Sequence, residues 1–365
     1  MRIIFTHILL IGFMLSAAKT YAQPTTDYKI IAYYTGNGDL IQQYPVEKLT
    51  HIIYSFLRIR VDTLTVANEK QEKNLQKLVA LKEKYPHLKI MVSIGGWGAC
   101  APCSDLFASE QHRNTFAKTT VELFKKYNVD GLDLDWEYPT IEGYPGHKFM
   151  DDDKKNFTAL IQTLRREMGD KYLLSFAAGG FTKFLEKSVD WAAIMPSLDF
   201  VNLMTYDLTN GYSKFTGHHT PLLSHKKQKE STDNCVSWLL KHKVPSNKLI
   251  IGAAFYARVW ENVPDTANGL FQTGRFKTSM PFKKFDTYFS KDNGFQYYFD
   301  KKSKAPYQYS STKKLFATFD DERSIEAKSK YIQKKKLGGM MFWELSEDKP
   351  KDGLVGAIYK YLKGK

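Results

Sequence analysis

The sequence predicts an α/β fold: a (β/α)8 barrel of the TIM type, with a small α+β insertion between its seventh and eighth strands. Three observations carry this expectation. Eight short β-prone runs alternate with helical stretches along most of the 365 residues, as expected of parallel strands joined by crossover helices. The alternation breaks once, at 261–318, where Phe, Tyr, Lys and Gly are frequent and no helical period is visible. No Gly-x-Gly-x-x-Gly turn follows the first strand, so the competing open, doubly wound sheet lacks its usual nucleotide-binding rationale.

Taken in order, Lys-Ile-Ile-Ala-Tyr-Tyr at 29–34 reads as the first strand and stops at the turn signal Thr35-Gly36-Asn37-Gly38. Residues 51–56 form the second strand. A helix over 69–84 follows, with Leu75, Leu78, Val79 and Leu81 near helical spacing. Residues 89–94 are the third strand, ending in Gly95-Gly96-Trp97-Gly98, and a helix runs over 109–127. The fourth strand is the acidic run beginning at Asp130. A helix over 151–167 places Phe157, Leu160, Ile161 and Leu164 on one face. Strands at 172–178 and 200–205 lead into a long loop, 207–225, that holds the adjacent His218 and His219, both expected to be ordinary loop residues. A helix at 231–242, a seventh strand at 249–256, the insertion, a charged helix at 321–336, an eighth strand at 338–344 and a helix at 354–362 complete the chain.

Composition narrows the function. The chain is 43% hydrophobic and 14% aromatic, enough for one large domain with many flat surfaces for ligand rings. Residues 1–22 resemble a secretory signal: Arg2, then a short apolar run, then Thr20-Tyr21-Ala22 as a cleavage site. The plan is therefore a signal at 1–22 and a barrel over 23–365 that carries the insertion. No run is long enough for a membrane span, and the expected location is outside the cytoplasm, secreted or periplasmic. The net charge is +14, to which the signal contributes only Arg2 and Lys19. Lysines are spread along the chain without a nucleic-acid-reading motif, so general solubility is the favoured explanation. Cys100 and Cys103 form a Cys-Ala-Pro-Cys unit suited to a local disulfide in an exported protein, and Cys235 stands alone. No cysteine and histidine cluster has metal-site spacing. Neither metal nor cofactor is expected, and the chain is expected to be a monomer.

The chemistry centres on Asp130-Gly131-Leu132-Asp133-Leu134-Asp135-Trp136-Glu137. In a strand, Asp133, Asp135 and Glu137 share one face, roughly 6–7 Å apart in succession. Three carboxylates in a row repel one another and cost several kcal/mol to bury unless protons or partners intervene. Asp130 is out of phase and fits a structural role at the start of the strand. In a barrel of this kind the functional groups collect at the C-terminal strand ends. There the sequence places Tyr33, Tyr34, Phe56, Ser93, Trp97, Asp135, Glu137, Met204, Tyr206, Asp207, Tyr256, Arg258, Trp343 and Glu344. Carboxylates among aromatics suit sugar rings and the glycosidic oxygen, which needs a proton to leave.

These residues resemble glycoside hydrolase family 18, the chitinase family. Asp130 to Glu137 is similar to its Asp-Gly-x-Asp-x-Asp-x-Glu signature. Ser93-Ile94-Gly95-Gly96-Trp97 resembles its third-strand motif, Met204-Thr205-Tyr206-Asp207 its sixth, and Phe255-Tyr256-Ala257-Arg258 its seventh, with Ala257 where Gly is more usual. The segment 261–318 resembles the family's insertion domain. The resemblance implies a retaining, substrate-assisted hydrolase of chitin or N-acetylglucosamine oligosaccharides. Glu137 is then the general acid and base. Asp135 orients the 2-acetamido group and shares a proton with Asp133, so the pair titrates together. Tyr206 holds the acetamido oxygen, and Trp343 floors the distorted sugar. Met204, Asp207 and Trp97 are implied as further contacts, with Phe56, Gly96, Tyr256, Arg258 and Tyr34 completing the substrate-contact set. Tyr34 and Ser93 are also possible hydrogen-bond partners for Asp133, and Arg258 a possible internal partner for an acid. The competing activities are an endo-β-N-acetylglucosaminidase, a peptidoglycan glucosaminidase and a non-catalytic chitin-binding lectin.

Overall fold

The computed structural model describes residues 27–364, so the signal-like segment lies outside the described residues. Eight parallel strands close on themselves: β1 (Lys29–Tyr34), β2 (His51–Arg60), β4 (Lys89–Gly95), β5 (Gly131–Asp135), β6 (Leu173–Gly179), β7 (Phe200–Met204), β8 (Leu249–Ala254) and β14 (Gly339–Trp343), with β1 paired to both β2 and β14. A short strand, β3 (Thr63–Thr65), folds back antiparallel on β2. This hairpin and the brief helices Cys103–Ala108 and Thr182–Lys187 were not expected from the sequence, because segments this short carry too few residues for a readable period.

Alternation along each strand divides the core. Ile31, Tyr33, Ile53, Met91, Phe200, Ile250 and Met341 fill the barrel interior. Ile30, Ala32, Tyr34, Leu132, Leu134 and Leu203 face the surrounding helices. Leu132 and Leu134 are buried under the helices Glu110–Tyr127 and Asp153–Met168, and each contributes about 1.5–3 kcal/mol of burial. Those apolar neighbours hold β5 in register, so its odd-numbered acids point inward. Four of the longer helices start on side-chain caps: Asn68, Ser109, Ser231 and Asp321 each accept a backbone N–H of the first turn.

The second sheet, antiparallel and five-stranded, comprises β9 (Tyr256–Glu261), β10 (Arg275–Pro281), β11 (Gln296–Asp300), β12 (Ala305–Ser310) and β13 (Leu315–Thr318). It begins earlier than 261. The seventh barrel strand ends at Ala254, and Tyr256 already pairs within the new sheet. A buried ion pair sits where the chain leaves and re-enters the barrel. Lys328 Nζ lies 2.6 Å from Asp320 Oδ2, which also accepts from Ala254 N and Thr220 Oγ1, both at 3.0 Å. His218 and His219 are fully buried rather than solvent-facing loop residues. His218 Nε2 lies 3.1 Å from Asp300 in the second sheet. Cys100 and Cys103 form a disulfide with Cα atoms 5.3 Å apart, and Cys235 is buried and free. Among the described residues, no helix is long and apolar enough to cross a membrane, and no cluster of metal-ligating side chains is present.

Candidate active site

A cavity of about 940 Å³ opens at the C-terminal ends of the barrel strands. The end of β5 forms one side. Trp343, at the end of β14, lies diametrically across the barrel, four strands away in either direction.

Asp133 is deepest and fully buried. Its Oδ1 accepts from Ser175 Oγ at 2.7 Å and Asn202 Nδ2 at 3.1 Å. Its Oδ2 accepts from Tyr33 hydroxyl at 2.9 Å and Ser93 Oγ at 3.0 Å. Strand register explains this convergence, because Ser93, Asp133 and Ser175 are level partners on β4, β5 and β6. Burial raises the Asp133 pKa, while these four bonds pull it back. They occupy the lone-pair directions of both oxygens, as an ionised carboxylate accepts them.

Asp135 is buried one step outward, and its Oδ1 has no protein partner. Burial raises its pKa well above the carboxylate range, and the charges of Glu137 and Asp133 add to the effect. Burial of two neighbouring carboxyls, with no cation on either, favours a proton held within the Asp133–Asp135 pair. Backbone geometry fixes this residue. Gly96 N donates to Asp135 O at 2.8 Å, and a Cβ on Gly95 (φ +100°) would sit 2.0 Å from that oxygen. Gly95 therefore has to be glycine for β4 to approach so closely. Glu137 follows at the rim. Burial, opposed by a hydrogen bond from Tyr138 and reinforced by the charge of Asp207, pushes its pKa up to about 7.

The wall two strands round, after β7, is built differently. Asp207 is bound by Arg258, Nε to Oδ1 at 2.7 Å and Nη2 to Oδ2 at 2.5 Å, and by the Tyr256 hydroxyl at 2.9 Å. His219 Nδ1 stands 3.5 Å away. Burial alone would raise the Asp207 pKa, but the His219 and Arg258 contacts outweigh it and hold the carboxyl well below its usual range. Arg258 is thus an internal partner of an acid as well as part of the cavity wall.

Aromatics line the space between. Trp343 stacks on Phe56 (centroids 5.6 Å, planes 20° apart) and leans on Tyr33. Gly96 keeps Phe56 in place, since a Cβ there would meet its ring at 2.5 Å. Met204 and Tyr206 line the cavity, and the Tyr206 hydroxyl has the Met341 sulfur 4.0 Å away. Trp97 is 47% exposed, with Tyr138, Tyr144 and Tyr212 around it.

One expected residue is misplaced. Tyr34 faces the helices, fully buried, and its hydroxyl donates to Asn37 O at 2.6 Å. Its neighbour Tyr33 reaches Asp133 and the cavity instead, because odd positions on β1 point inward. Alternation with Ile31 was the available signal. Ser175, Asn202, His219, Tyr212 and Glu347 were also missed, since only strand register and loop packing bring them here.

Residues 29–348 match the sequence pattern described as Glycosyl hydrolases family 18. The chain belongs to this family. Among its relatives, Chitinase A1 of Niallia circulans is 30% identical over 90% of this chain, which spans 58% of that protein. Chitotriosidase-1 of Mus musculus is 32% identical over 82% of this chain and 67% of its own length. The structure of a family 18 N-acetylglucosaminidase from Paenibacillus barengoltzii superposes with a TM-score of 0.83 at 34% identity, covering 92% of this chain and 100% of the other. Chitinase ChiA74 from Bacillus thuringiensis gives a TM-score of 0.84 at 27% identity, over 92% and 70%.

Proposed function

We propose that this protein is a chitinase that hydrolyses β-1,4 linkages between N-acetylglucosamine units with retention and substrate assistance. The observation that carries this reading is the unequal state of the acids around one cavity. Asp133 and Asp135 both have raised pKa values and favour a shared proton, Glu137 is tuned near neutrality, and Asp207 is locked by Arg258 and Tyr256. A protein nucleophile would need a free carboxylate facing Glu137, and Asp207 is not free. Family 18 hydrolases instead draw the nucleophile from the substrate.

In this mechanism the sugar before the cleaved bond rests on Trp343 with its acetamido group toward Asp135 and Tyr206. Protonated Glu137 gives its proton to the departing oxygen. The acetamido carbonyl oxygen attacks the anomeric carbon and closes an oxazolinium ring. Asp135 accepts the acetamido N–H and balances the positive charge once the proton shared by the pair passes to Asp133, where a serine or tyrosine hydroxyl turns away to free a lone pair for it. Glu137, now ionised, removes a proton from water, which opens the ring with net retention. Tyr206 orients the acetamide, Met204 packs beside its methyl group, and Trp97 offers a stacking face for the leaving sugars.

A single-chain monomer suffices, since every group named comes from one chain. The disulfide Cys100–Cys103 supports an exported location, with the signal removed near Ala22. Incubation with chitin oligosaccharides and, separately, with an N-glycosylated protein, followed by product masses, tests the reading. Chitobiose-type fragments from the first support it, and glycan release from the second alone overturns it.

A further inference from the structure

The cavity contains an acid that the mechanism does not use. Glu347 lies on the short 3-10 turn Leu345–Glu347 after β14, on the Trp343 side and so across the barrel from Glu137. Its Oε2 is buried without a hydrogen-bond partner. The nearby cations are engaged elsewhere: Arg258 holds Asp207 and Ser279, and Lys283 Nζ donates to Ser346 O at 2.6 Å. Glu344 beneath it accepts from Thr35 N and Ser346 N. Burial and the charge of Glu344 push the Glu347 pKa up to about 8.

The cavity as a whole is acidic. Asp135, Glu137, Glu142, Asp207, Glu230 and Glu347 line it, against only Lys183 and Arg258, in a chain whose net charge is +14. Asp135, Glu137 and Glu347 have raised pKa values, so the lining gains negative charge as an approaching cation favours their ionised forms.

We propose that Glu347 recognises a free amine on the second sugar back from the cleaved bond, so that the preferred polymer is partially deacetylated chitin. This rests on the hydrolase reading above. The sugar on Trp343 must keep its acetamide, because that group is the nucleophile, so an amine is admissible only farther along. Glu347 follows Trp343 by four residues and lines the same cavity, so its carboxyl is the unpaired acid we place beside that sugar. An ammonium brings three N–H donors and a positive charge, which bond the carboxyl where its side chain reaches the cavity and favour the ionised carboxylate. A hydroxyl or an acetamide N–H satisfies it only in part.

The test is digestion of randomly deacetylated chitosan by the wild-type protein and by Glu347→Gln and Glu347→Lys, with products sequenced from their new reducing ends by mass spectrometry. Wild-type products should carry N-acetylglucosamine at the new reducing end. At the adjacent position glucosamine should be enriched about three- to fivefold over the starting polymer, the scale of a partly exposed ion pair. Glu347→Gln should remove the enrichment, and Glu347→Lys should invert it to depletion. Wild-type products without enrichment overturn the proposal even if neither variant folds, as does enrichment that survives in Glu347→Lys. Failure of the hydrolase reading looks different: no cleavage, or glucosamine at the new reducing end itself.

Discussion

The two walls of the cavity bury acids of the same kind and treat them in opposite ways. On the β5 side, Asp133 meets four uncharged donors, and Asp135 Oδ1 meets none. On the β7 side, Asp207 meets a guanidinium in a two-point contact. Burial without a cation raises a carboxyl pKa, and a paired cation lowers it. Under the proposed mechanism the first wall handles protons, while the second fixes shape and charge. Partner and depth together separate the carboxylates, since Asp133 and Asp135 are almost fully buried without a cation while Asp207 is 31% exposed and paired.

The sharpest way to break this contrast is to neutralise an acid on the proton-handling side. Glu137→Gln should lower turnover at least about a hundredfold while oligosaccharide binding persists. Near-normal turnover in steady-state assays would remove Glu137 from its role. Asp135→Asn should follow closely, with an unchanged melting temperature that separates chemistry from folding.

The pH profile probes the same wall without mutation. Glu137 has to be protonated to act as an acid, so kcat/KM should fall as pH rises through about 7. The Asp207 side runs the other way. Its pKa is depressed, so the stability it contributes is present above the unfolded carboxylate value and is lost as pH falls toward the folded one. Loss of stability near neutral pH that disappears in Asp207→Asn would contradict this. Arg258→Met should destabilise by about 1–3 kcal/mol, less than a fully buried pair because Asp207 is 31% exposed. Thermal unfolding measures it. The smallest effect belongs to Ser175→Ala, which removes one of four donors to Asp133. It should raise the Asp133–Asp135 proton affinity and shift the acidic limb of the profile by about one pH unit at most.

Much of this architecture was legible because barrel strands are short apolar runs with clear punctuation, as in Lys29–Tyr34 and Phe200–Met204. The acid row on β5 was legible from the two-residue period alone. The start of the second sheet was not. Residues 249–256 form a continuous apolar run, and the break at Phe255 is set by distant partners: Phe255 N donates to Trp343 O at 2.9 Å, and Phe255 O accepts from Phe282 N at 2.8 Å. The donor ring of Asp133 was hidden for a related reason. Ser175 and Asn202 are unremarkable polar residues until register aligns β6 and β7 with β5. His219 likewise becomes part of the Asp207 cluster only through the packing of its loop under β9.

The most direct measurement compares two matched oligosaccharide substrates that differ only at the sugar seated on Trp343, one with its 2-acetamido group intact and one with a free amine there. If the substrate supplies the nucleophile, removing the acetyl group lowers kcat/KM at least about a hundredfold, while Glu137 and Asp207 keep their roles. Equal rates on the two substrates would mean that a protein carboxylate attacks, and the contrast between the two walls would have to be redrawn.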